Sequence, residues 1–539
     1  MWQQNYTPIA QSLGWSALVA AVPFFVLLYM LAIKRKPSWI SAISSLISAL
    51  IIALFVYKMP FEKTISSSFY GAAYGLLPIG WITFNAIFLY RLTLETGQFE
   101  TIKGSLAQLT SDQRLQALLI AFAFGAFIEG AAGSGVPVAI GAAMLVGMGF
   151  KRLHAAGLCL LANTAPVAFG AIGLPVIILG ITTGLPISHL SAGVGRISAP
   201  LSLIIPAYMT VLVAGWKGFR GSLPAAIVCG VSFAIVQFLV SNFIGPQLTD
   251  IIAAIFAMFV LVMFLKVWKP RDSYTSEIKS SYSNIKYHAS EVWRAWVPYA
   301  LLALFVLIWG IPSIRTILGK SDVFITWPWL NNQVLRMPPI VNSATPYAAV
   351  YDFNWLASPG TACFLAAVLA MVFAGMSVKK FIDVFKSTAK LMFLPTVTIV
   401  SVLSLAFLMN YCGAIATLGL AFAATGFLFP FFSPLLGWMG VFLTGSDASC
   451  NALFGNLQVI TAHSLNLNPV LTAAANSSGG VMGKMISVQS IAVAAAATGM
   501  PSSEEPKLFR YTFWHSVLLA CGIGILVTIY AYVIPWIIP

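Results

Sequence analysis

Two acidic residues lie inside long apolar stretches of this sequence, where a charged side chain is costly. Glu129 stands in the segment Phe127–Gly135 and Asp447 in the segment Leu443–Asn451. An ionised carboxylate at the centre of a bilayer costs about 2.5 kcal/mol or more, so such a residue is either functional or protonated and paired. Both residues are therefore candidate proton carriers. The alternative is a structural hydrogen bond that closes the tip of a hairpin.

One basic residue, Lys484, lies equally deep in the apolar sequence. A buried ammonium group needs an anion close to it in order to stay charged. Asp447 and the carboxylate of a substrate are equally good candidates for that anion.

Glycines and small polar residues surround these three charges, as expected where a helix stops inside the membrane. Free N–H groups at such a break attract anions, and small residues let a ligand approach the backbone. The neutral polar residues then suit a carboxylate and a hydroxyl, or alternatively a cation held by backbone carbonyls. The predicted substrate-binding residues are Gly133, Ser134, Asn163, Thr164, Ser449, Asn451, Asn476, Ser477, Ser478, Lys484 and Gln489. Further candidates are Arg196 and Arg510 at span ends, where snorkelling to the interface is the alternative, and His515 near an interface, as a candidate proton relay.

The composition excludes a soluble protein, because 59% of the 539 residues are hydrophobic and only 8% are charged. The formal charge of +14 does not indicate nucleic-acid binding, because the basic residues fall in short loops between apolar runs. The six cysteines are scattered singly, and no nucleotide-binding or metal-binding motif is present. We therefore expect no cofactor, no metal site and no enzymatic activity.

Apolar runs of about 20 residues, long enough to cross a bilayer, recur along the chain. Two longer regions, Leu115–Gly184 and Pro434–Gly499, are interrupted by glycines, prolines and polar residues. The predicted breaks fall at Glu129–Pro137, Asn163–Pro166, Gly445–Asn451 and Asn476–Gly483.

The two interrupted regions share residues in the same order, which predicts a duplicated unit. Gly125, Phe127 and Gly130 match Gly440, Phe442 and Gly445 at one constant offset, and Asn163, Thr164 and Gly170 match Asn476, Ser477 and Gly483 at a similar one. Most Lys and Arg residues fall on the cytoplasmic side if both termini face outward, and the two units are then inverted relative to each other.

The predicted fold is therefore an all-α polytopic membrane protein with two inverted repeats, broken helices, re-entrant hairpins and about twelve membrane crossings. The predicted parts are N-terminal helices (1–68), repeat 1 (69–220), connecting helices (221–390) with a cytoplasmic linker (270–294) and an external loop (312–342), and repeat 2 (391–539).

Six segments of the chain resemble bacterial L-lactate permeases, and the resemblance runs from end to end. These segments are Trp2–Tyr6, Glu129–Gly133, Asn163–Ala171, Ser241–Pro246, Gly440–Asp447 and Gly479–Ser487. The resemblance implies a bacterial plasma-membrane symporter that carries L-lactate, and short 2-hydroxy monocarboxylates such as glycolate, together with protons. It also implies kinship with the ion-transporter superfamily. Three positions depart from the family pattern: Ser134 replaces Phe, Cys450 replaces Ser, and Val488 replaces Pro.

Three other functions are weighed against proton symport. A sodium-coupled carboxylate carrier would use the Asn, Thr and Ser residues at the breaks as cation ligands, and a passive anion channel would give no uphill accumulation. An intramembrane enzyme is disfavoured, because no nucleophile and base stand at a useful spacing.

Overall fold

The computed structural model describes residues 1–133, 135–270, 272, 274–275 and 287–539. Most of these residues are helical. The first helices are α1 (Leu13–Ala20), α2 (Val22–Leu28), α3 (Ser38–Phe55), α4 (Phe61–Tyr74), α5 (Trp81–Glu95), α6 (Gln98–Ala107), α7 (Gln113–Gln116), α8 (Gly125–Ala131), α9 (Val136–Gly147), α10 (Arg152–Ala162) and α11 (Gly170–Thr183). The remaining helices are α12 (Ile187–Phe243), α13 (Thr249–Val267), α14 (Ala289–Gly310), α15 (Pro312–Leu318), α16 (Pro359–Phe373), α17 (Val378–Cys412), α18 (Ala414–Phe422), α19 (Phe429–Thr444), α20 (Asp447–Ser464), α21 (Pro469–Lys484), α22 (Val488–Ala497) and α23 (Glu505–Tyr532).

Ten helices or runs of abutting helices in the described part of the chain are long and apolar enough to cross a membrane. The count rises to 12 if each of two bent helix pairs forms one span. One pair is α10 with the segment Val167–Thr183, bent by 60°, and the other is α21 with α22, bent by 42°. The predicted all-helical membrane fold is confirmed, whereas the inverted relation of the two repeats stays a prediction.

The breaks in the helices fall close to three of the four predicted positions. Between α8 and α9 the chain turns at Gly133 and Gly135, which both have positive φ. Gly445, with φ of 71°, ends α19, and the Ser446 side chain then caps α20 by accepting a hydrogen bond from the Ser449 N–H. The third break separates α10 from Val167.

The fourth predicted break, at Asn476–Gly483, is wrong. α21 runs through that whole segment to Lys484, and the chain bends only after it, where Ser487 caps α22. The glycines there serve helix packing. A Cβ at Gly479 would overlap the Pro434 carbonyl of α19, and a Cβ at Gly483 would overlap the carbonyl of Trp438. Small residues on α21 thus let α19 approach its backbone closely, as in other membrane helix pairs.

The order of elements recurs in the two interrupted regions, each of which has a helix, a break, a helix, a tight turn, a helix and a second break. Three of the predicted part boundaries fall inside helices, because α4, α12 and α17 extend across residues 68, 220 and 390. Hydropathy alone places a helix end where the apolar run stops, whereas α17 begins thirteen residues earlier with the amphipathic segment 378–390.

The basic segments of the chain gather at one end of the helix bundle. The Gln98 amide donates a hydrogen bond to the Arg294 carbonyl at 3.1 Å, and the Lys380 ammonium donates one to the Glu95 carbonyl at 3.0 Å. Because these segments carry many of the Lys and Arg residues, this end is the predicted cytoplasmic face.

At the same end, the fully buried Arg114 holds the beginning of the linker against the bundle. Its guanidinium contacts Asp112 at 2.7 Å and Asp272 at 3.0 Å, and it donates to the carbonyl of Gly218. Asp272 lies outside the membrane-spanning helices. The hydrogen bond that Arg114 donates to the Asp272 carboxyl lowers the pKa of that group.

The opposite end carries two small sheets that the sequence did not predict. Strand β1 (Trp2–Gln3) pairs in parallel with β3 (Val334–Arg336), which also pairs with β4 (Thr345–Pro346), and β2 (Val323–Thr326) pairs with β5 (Val350–Phe353). The amino terminus and the predicted external loop therefore lie on the same side.

Residues just after β1 are anchored deep in the protein. The Gln4 amide donates to the carbonyls of Asn410 and Tyr411 at 2.9 and 2.8 Å, and the Tyr6 hydroxyl donates to the Gln4 side chain at 2.9 Å. Gln4 and Tyr6 are both buried, so the amino-terminal segment is part of the packed structure.

We expect Gly479→Ala to destabilise the protein, because the new methyl group meets the backbone of α19, and such overpacking costs about 1–3 kcal/mol. Gly522→Ala in α23 is the matched control, because its added methyl group meets nothing within 4 Å. Thermal unfolding of the purified variants in detergent measures both changes. Equal melting temperatures for the two variants would contradict the packing role of Gly479.

Candidate functional site

A cavity of about 350 Å³ lies between the two interrupted regions. The first region contributes Glu129 and Gly133 to its lining, and the second contributes Asp447 and Lys484. All three charged residues singled out in the sequence therefore face one shared space. This placement is a consequence of the two breaks, which bring unwound chain from both regions to the same level of the bundle.

The strongest interaction in this cavity is an ion pair between the two regions. The Lys484 Nζ atom lies 3.0 Å from Glu129 Oε1, and the two residues are only 8% and 2% exposed. Lys484 is the last residue of α21, where the helix dipole favours a cation. Glu129 stands in the last turn of α8, where the dipole disfavours an anion, so Lys484 offsets that cost. The sequence analysis expected Asp447 or a substrate carboxylate as the partner of Lys484; in the structure the partner is Glu129.

The Glu129 carboxylate uses only part of its hydrogen-bonding capacity. Its Oε2 atom is buried and has no hydrogen-bond partner among the described residues. Gly170 packs directly against the carboxylate, since an added Cβ there would lie 2.5 Å from Oε1. A buried oxygen without a partner is costly, so the site favours a proton or a donor group at this position.

Asp447 is the first residue of α20 and is 3% exposed. Its Oδ2 atom accepts a hydrogen bond of 2.6 Å from the Ser477 hydroxyl and one of 3.4 Å from the Asn451 amide. Its Oδ1 atom has no partner among the described residues. The dipole of α20 favours a negative charge at this position. Asp447 therefore lines the cavity with one carboxylate oxygen, packed against Gly480, that has no partner among the described residues.

A buried polar network stands behind Asp447. The Asn451 amide also donates to the carbonyl of Pro175 at 3.1 Å, which links the two interrupted regions, and its side-chain oxygen accepts from Asn476 at 2.9 Å. Ser478 lies within 3.4 Å of the Ser198 hydroxyl. None of the predicted substrate-binding residues Asn451, Asn476, Ser477 and Ser478 lines the cavity; they hold its wall in place.

Asn163 and Thr164 lie on the far side of Lys484. Together with Ser490 they line a small void beside the lysine, too narrow to hold a water molecule. The Thr164 hydroxyl donates to the Leu161 carbonyl at 2.6 Å, whereas neither polar side-chain atom of Asn163 has a partner among the described residues. These two residues are neighbours of the ion pair and are outside the main cavity.

The other predicted site residues have different positions. Ser449 and Gln489 line the cavity, and Ser134 falls outside the described residues. Three residues lie elsewhere: Arg196 donates to Asn242 and to the carbonyl of Ile537, His515 contacts Tyr208 at 2.5 Å, and Arg510 is exposed.

Several polar residues of the cavity wall were missed. Thr83 of α5 and Thr398 of α17 line it, but a single threonine in an apolar run carries no sequence signal. A third deeply buried carboxyl, Asp250, was also missed because it stands at the edge of an apolar run. It is 1% exposed, so the expectation that only Glu129 and Asp447 lie deep is wrong.

A second cavity of about 290 Å³ adjoins the first. The two share Ser38, Thr444 and Gln489, and the second also contacts Arg35 and Lys36. A basic loop therefore lies beside the site, and its positive charge raises the local concentration of anions. Within the described residues, no group of three His, Cys, Asp or Glu side chains is placed to hold a metal ion.

Known proteins resemble this chain over nearly its whole length. The family model described as L-lactate permease matches residues 16–534. An L-lactate permease of Bacillus subtilis (strain 168) is 47% identical, with 100% of both chains covered. The glycolate permease GlcA of Escherichia coli (strain K12) is 46% identical, covering 99% of this chain and 98% of its own. Among solved structures, Neisseria gonorrhoeae MtrF, which is described as one of a class of antimetabolite efflux pumps, is similar with a TM-score of 0.48. The sequence identity is 13%, and the match covers 88% of this chain and 84% of MtrF. That similarity is too low to carry an argument.

We expect Lys484→Met and Glu129→Gln, made singly, each to destabilise the protein by about 3–5 kcal/mol, because each leaves one buried charge without its partner. The double variant should recover most of that loss, since both charges are then gone. Thermal unfolding of the four proteins at one pH gives the coupling between the residues. Additive losses would show that the 3.0 Å contact does not contribute to stability.

Proposed function

The chain belongs to the L-lactate permease family, and on this basis we propose that it is a proton-coupled symporter of L-lactate and related short 2-hydroxy monocarboxylates such as glycolate. It is a multi-pass protein of the plasma membrane, and a permease rather than an enzyme. Relatives named for L-lactate and for glycolate are almost equally similar to it, which supports a site that accepts both acids.

The observation that carries the coupling proposal is the buried ion pair between Glu129 and Lys484, which faces the cavity. A substrate carboxylate that enters the cavity can replace Glu129 on Lys484, because both groups offer the same anionic oxygens. Once displaced, Glu129 is a buried carboxylate without a counter-ion. Taking up a proton removes that charge, so substrate binding and proton binding occur together.

Charge balance then explains why only two states of the carrier would reorient. In the empty state Lys484 is neutralised by Glu129, and in the loaded state it is neutralised by the substrate while Glu129 is protonated. A carrier with only the substrate or only the proton has one uncompensated charge inside the membrane, which is costly. This scheme transports one proton with each monocarboxylate.

Asp447 is the second proposed protonatable group. Asp447 lines the same cavity, and the unpartnered oxygen of its carboxyl group is the proposed acceptor for the 2-hydroxyl group of the substrate. Ser449 and Gln489 are the neutral cavity residues proposed to assist. A polar acceptor aimed at the hydroxyl discriminates against acids that lack it, because the acceptor is then left without a partner.

The proposed topology has both termini on the extracytoplasmic side and the two interrupted units inverted. Clustering of the basic segments at one end of the bundle supports that orientation. Alternating access would then come from movement of one unit against the other, with the Glu129–Lys484 contact broken and remade between them.

Purified protein in liposomes tests the coupling ion. We expect an inward proton gradient to drive uphill accumulation of L-lactate at zero sodium, and an imposed sodium gradient at constant pH to drive none. Uptake driven by sodium alone would favour the sodium-coupled carrier. Equilibration without accumulation under either gradient would favour a passive anion channel.

We expect Glu129→Gln to keep lactate exchange and to lose proton-driven accumulation. Glutamine cannot take up the proton, and it no longer competes with lactate for Lys484, so lactate should bind more tightly and with little dependence on pH. Counterflow of labelled lactate, followed over a series of pH values, measures this. If Glu129→Gln is present at normal abundance and accumulates lactate to the wild-type level under a proton gradient, Glu129 is not the proton carrier.

A further inference from the structure

Asp250 is a third carboxyl group in the interior, and neither the cavity nor the ion pair includes it. It lies in the first turn of α13, close to the break after α12, and its side chain is almost fully buried. Neither of its carboxylate oxygens has a hydrogen-bond partner among the described residues. A structural aspartate at this position would accept bonds from neighbouring donors. Asp250 accepts none, so a purely structural role does not explain it.

The position of Asp250 places it behind Glu129. The backbone of α8 touches α13 at the residue after Glu129: a Cβ at Gly130 would lie 2.9 Å from the Asp250 Cβ and 3.0 Å from the Ile251 nitrogen. The close approach depends on Gly130, because any larger residue would push the two helices apart. Glu129, the residue before Gly130, and Asp250 thus belong to two helices that touch at this point.

Few charged groups act on Asp250. They are Glu129 from α8 and Lys484 from α21. The polar neighbour on α12 is Gln237. One N–H of its amide donates to the Ala165 carbonyl at 3.2 Å and its oxygen accepts from the Ser202 hydroxyl at 2.7 Å, which leaves the second N–H to interact with Asp250. The segment Ala117–Phe124, which also packs against α13, contributes only apolar side chains.

We propose that Asp250 carries a proton while Glu129 is paired with Lys484, and passes that proton to Glu129 when a substrate carboxylate displaces it. An ionised Asp250 would be buried without an ion pair and would repel the negative Glu129, and both effects are costly for a carboxylate. A neutral Asp250 avoids both costs. This inference rests on the proposed proton-coupled transport and names a further residue of that coupling site.

The transfer is balanced in atoms and charge. The Asp250 O–H bond breaks, one proton moves to a Glu129 oxygen directly or through one bridging water, and Asp250 becomes the anion. Lys484 remains protonated throughout and is neutralised by the substrate. Asp250 then regains a proton from the aqueous side through which the substrate entered, before the carrier reorients. The loaded carrier is therefore neutral, and one proton crosses with each substrate.

Asp250→Asn in proteoliposomes tests this assignment, with two transport assays on the same preparation. Lactate counterflow needs no net proton movement and should stay close to that of the wild type. Accumulation driven by a proton gradient should fall by about tenfold or more, as expected for loss of a positioned proton donor. Thr249→Val is the matched control: it is the adjacent buried residue of the same helix turn, bonded only to the Gly245 carbonyl, and should match the wild type in both assays.

Two results would overturn the assignment. Wild-type accumulation and pH dependence in Asp250→Asn would show that Asp250 holds no transported proton. If Asp250→Asn has a normal melting temperature but loses both counterflow and accumulation, Asp250 belongs to substrate binding instead. If the wild-type protein itself shows no proton-driven accumulation, the proposed function fails first, and the two failures are thereby distinguished.

Infrared spectroscopy keeps the proposal testable if Asp250→Asn does not fold. The wild-type protein at neutral pH should show the C=O absorption of a protonated carboxyl group in a dry environment, and Asp250→Glu should shift that band. A wild-type spectrum without such a band, or a band that Asp250→Glu leaves in place, would contradict a protonated Asp250.

Discussion

The rest of the site depends on one contact, the buried ion pair between Glu129 and Lys484. It joins two parts of the chain that lie 355 positions apart, and each partner stands at a helix end next to a break. Each of these side chains would be costly in its charged form without the other, since an uncompensated charge in the interior is unfavourable. The pair therefore fixes how the two interrupted regions meet, and its position in the cavity wall means that any competing anion acts on the same contact.

The glycines around this pair contribute in two distinct ways. At Gly133, Gly135 and Gly445 the backbone has positive φ, and these residues make the tips of the two hairpins. On α21, Gly479 and Gly483 have ordinary helical backbone and instead permit close contact with α19. Tight packing of α21 against its neighbours holds Lys484 at a defined depth, and the network around Asn451 does the same for Asp447.

The sequence predicted the class of fold and the most important charges, because both depend on local properties. Long apolar runs give membrane helices, and a lone Glu, Asp or Lys inside such a run is unusual whatever surrounds it. Pairing was not predictable: Asp447 is nearer to Lys484 in sequence, but α21 continues to Lys484 and aims it at Glu129. The break predicted at Asn476–Gly483 was wrong because composition does not distinguish glycines that interrupt a helix from glycines that face a neighbouring helix. Asp250 was missed because hydropathy places it at the end of a run, and only the fold shows that this end is buried.

The anchoring of the amino-terminal segment has a consequence for biosynthesis. Trp2 pairs with strand β3. The Gln4 amide donates to the carbonyls of Asn410 and Tyr411, which follow it in the chain by 406 and 407 positions. Those acceptors leave the ribosome long after Gln4 does, so residues 2–6 must wait outside the finished structure while most of the helices insert. Docking of this segment is thus one of the last steps of assembly, and a bulky fusion at the amino end would interfere with maturation more than with membrane insertion.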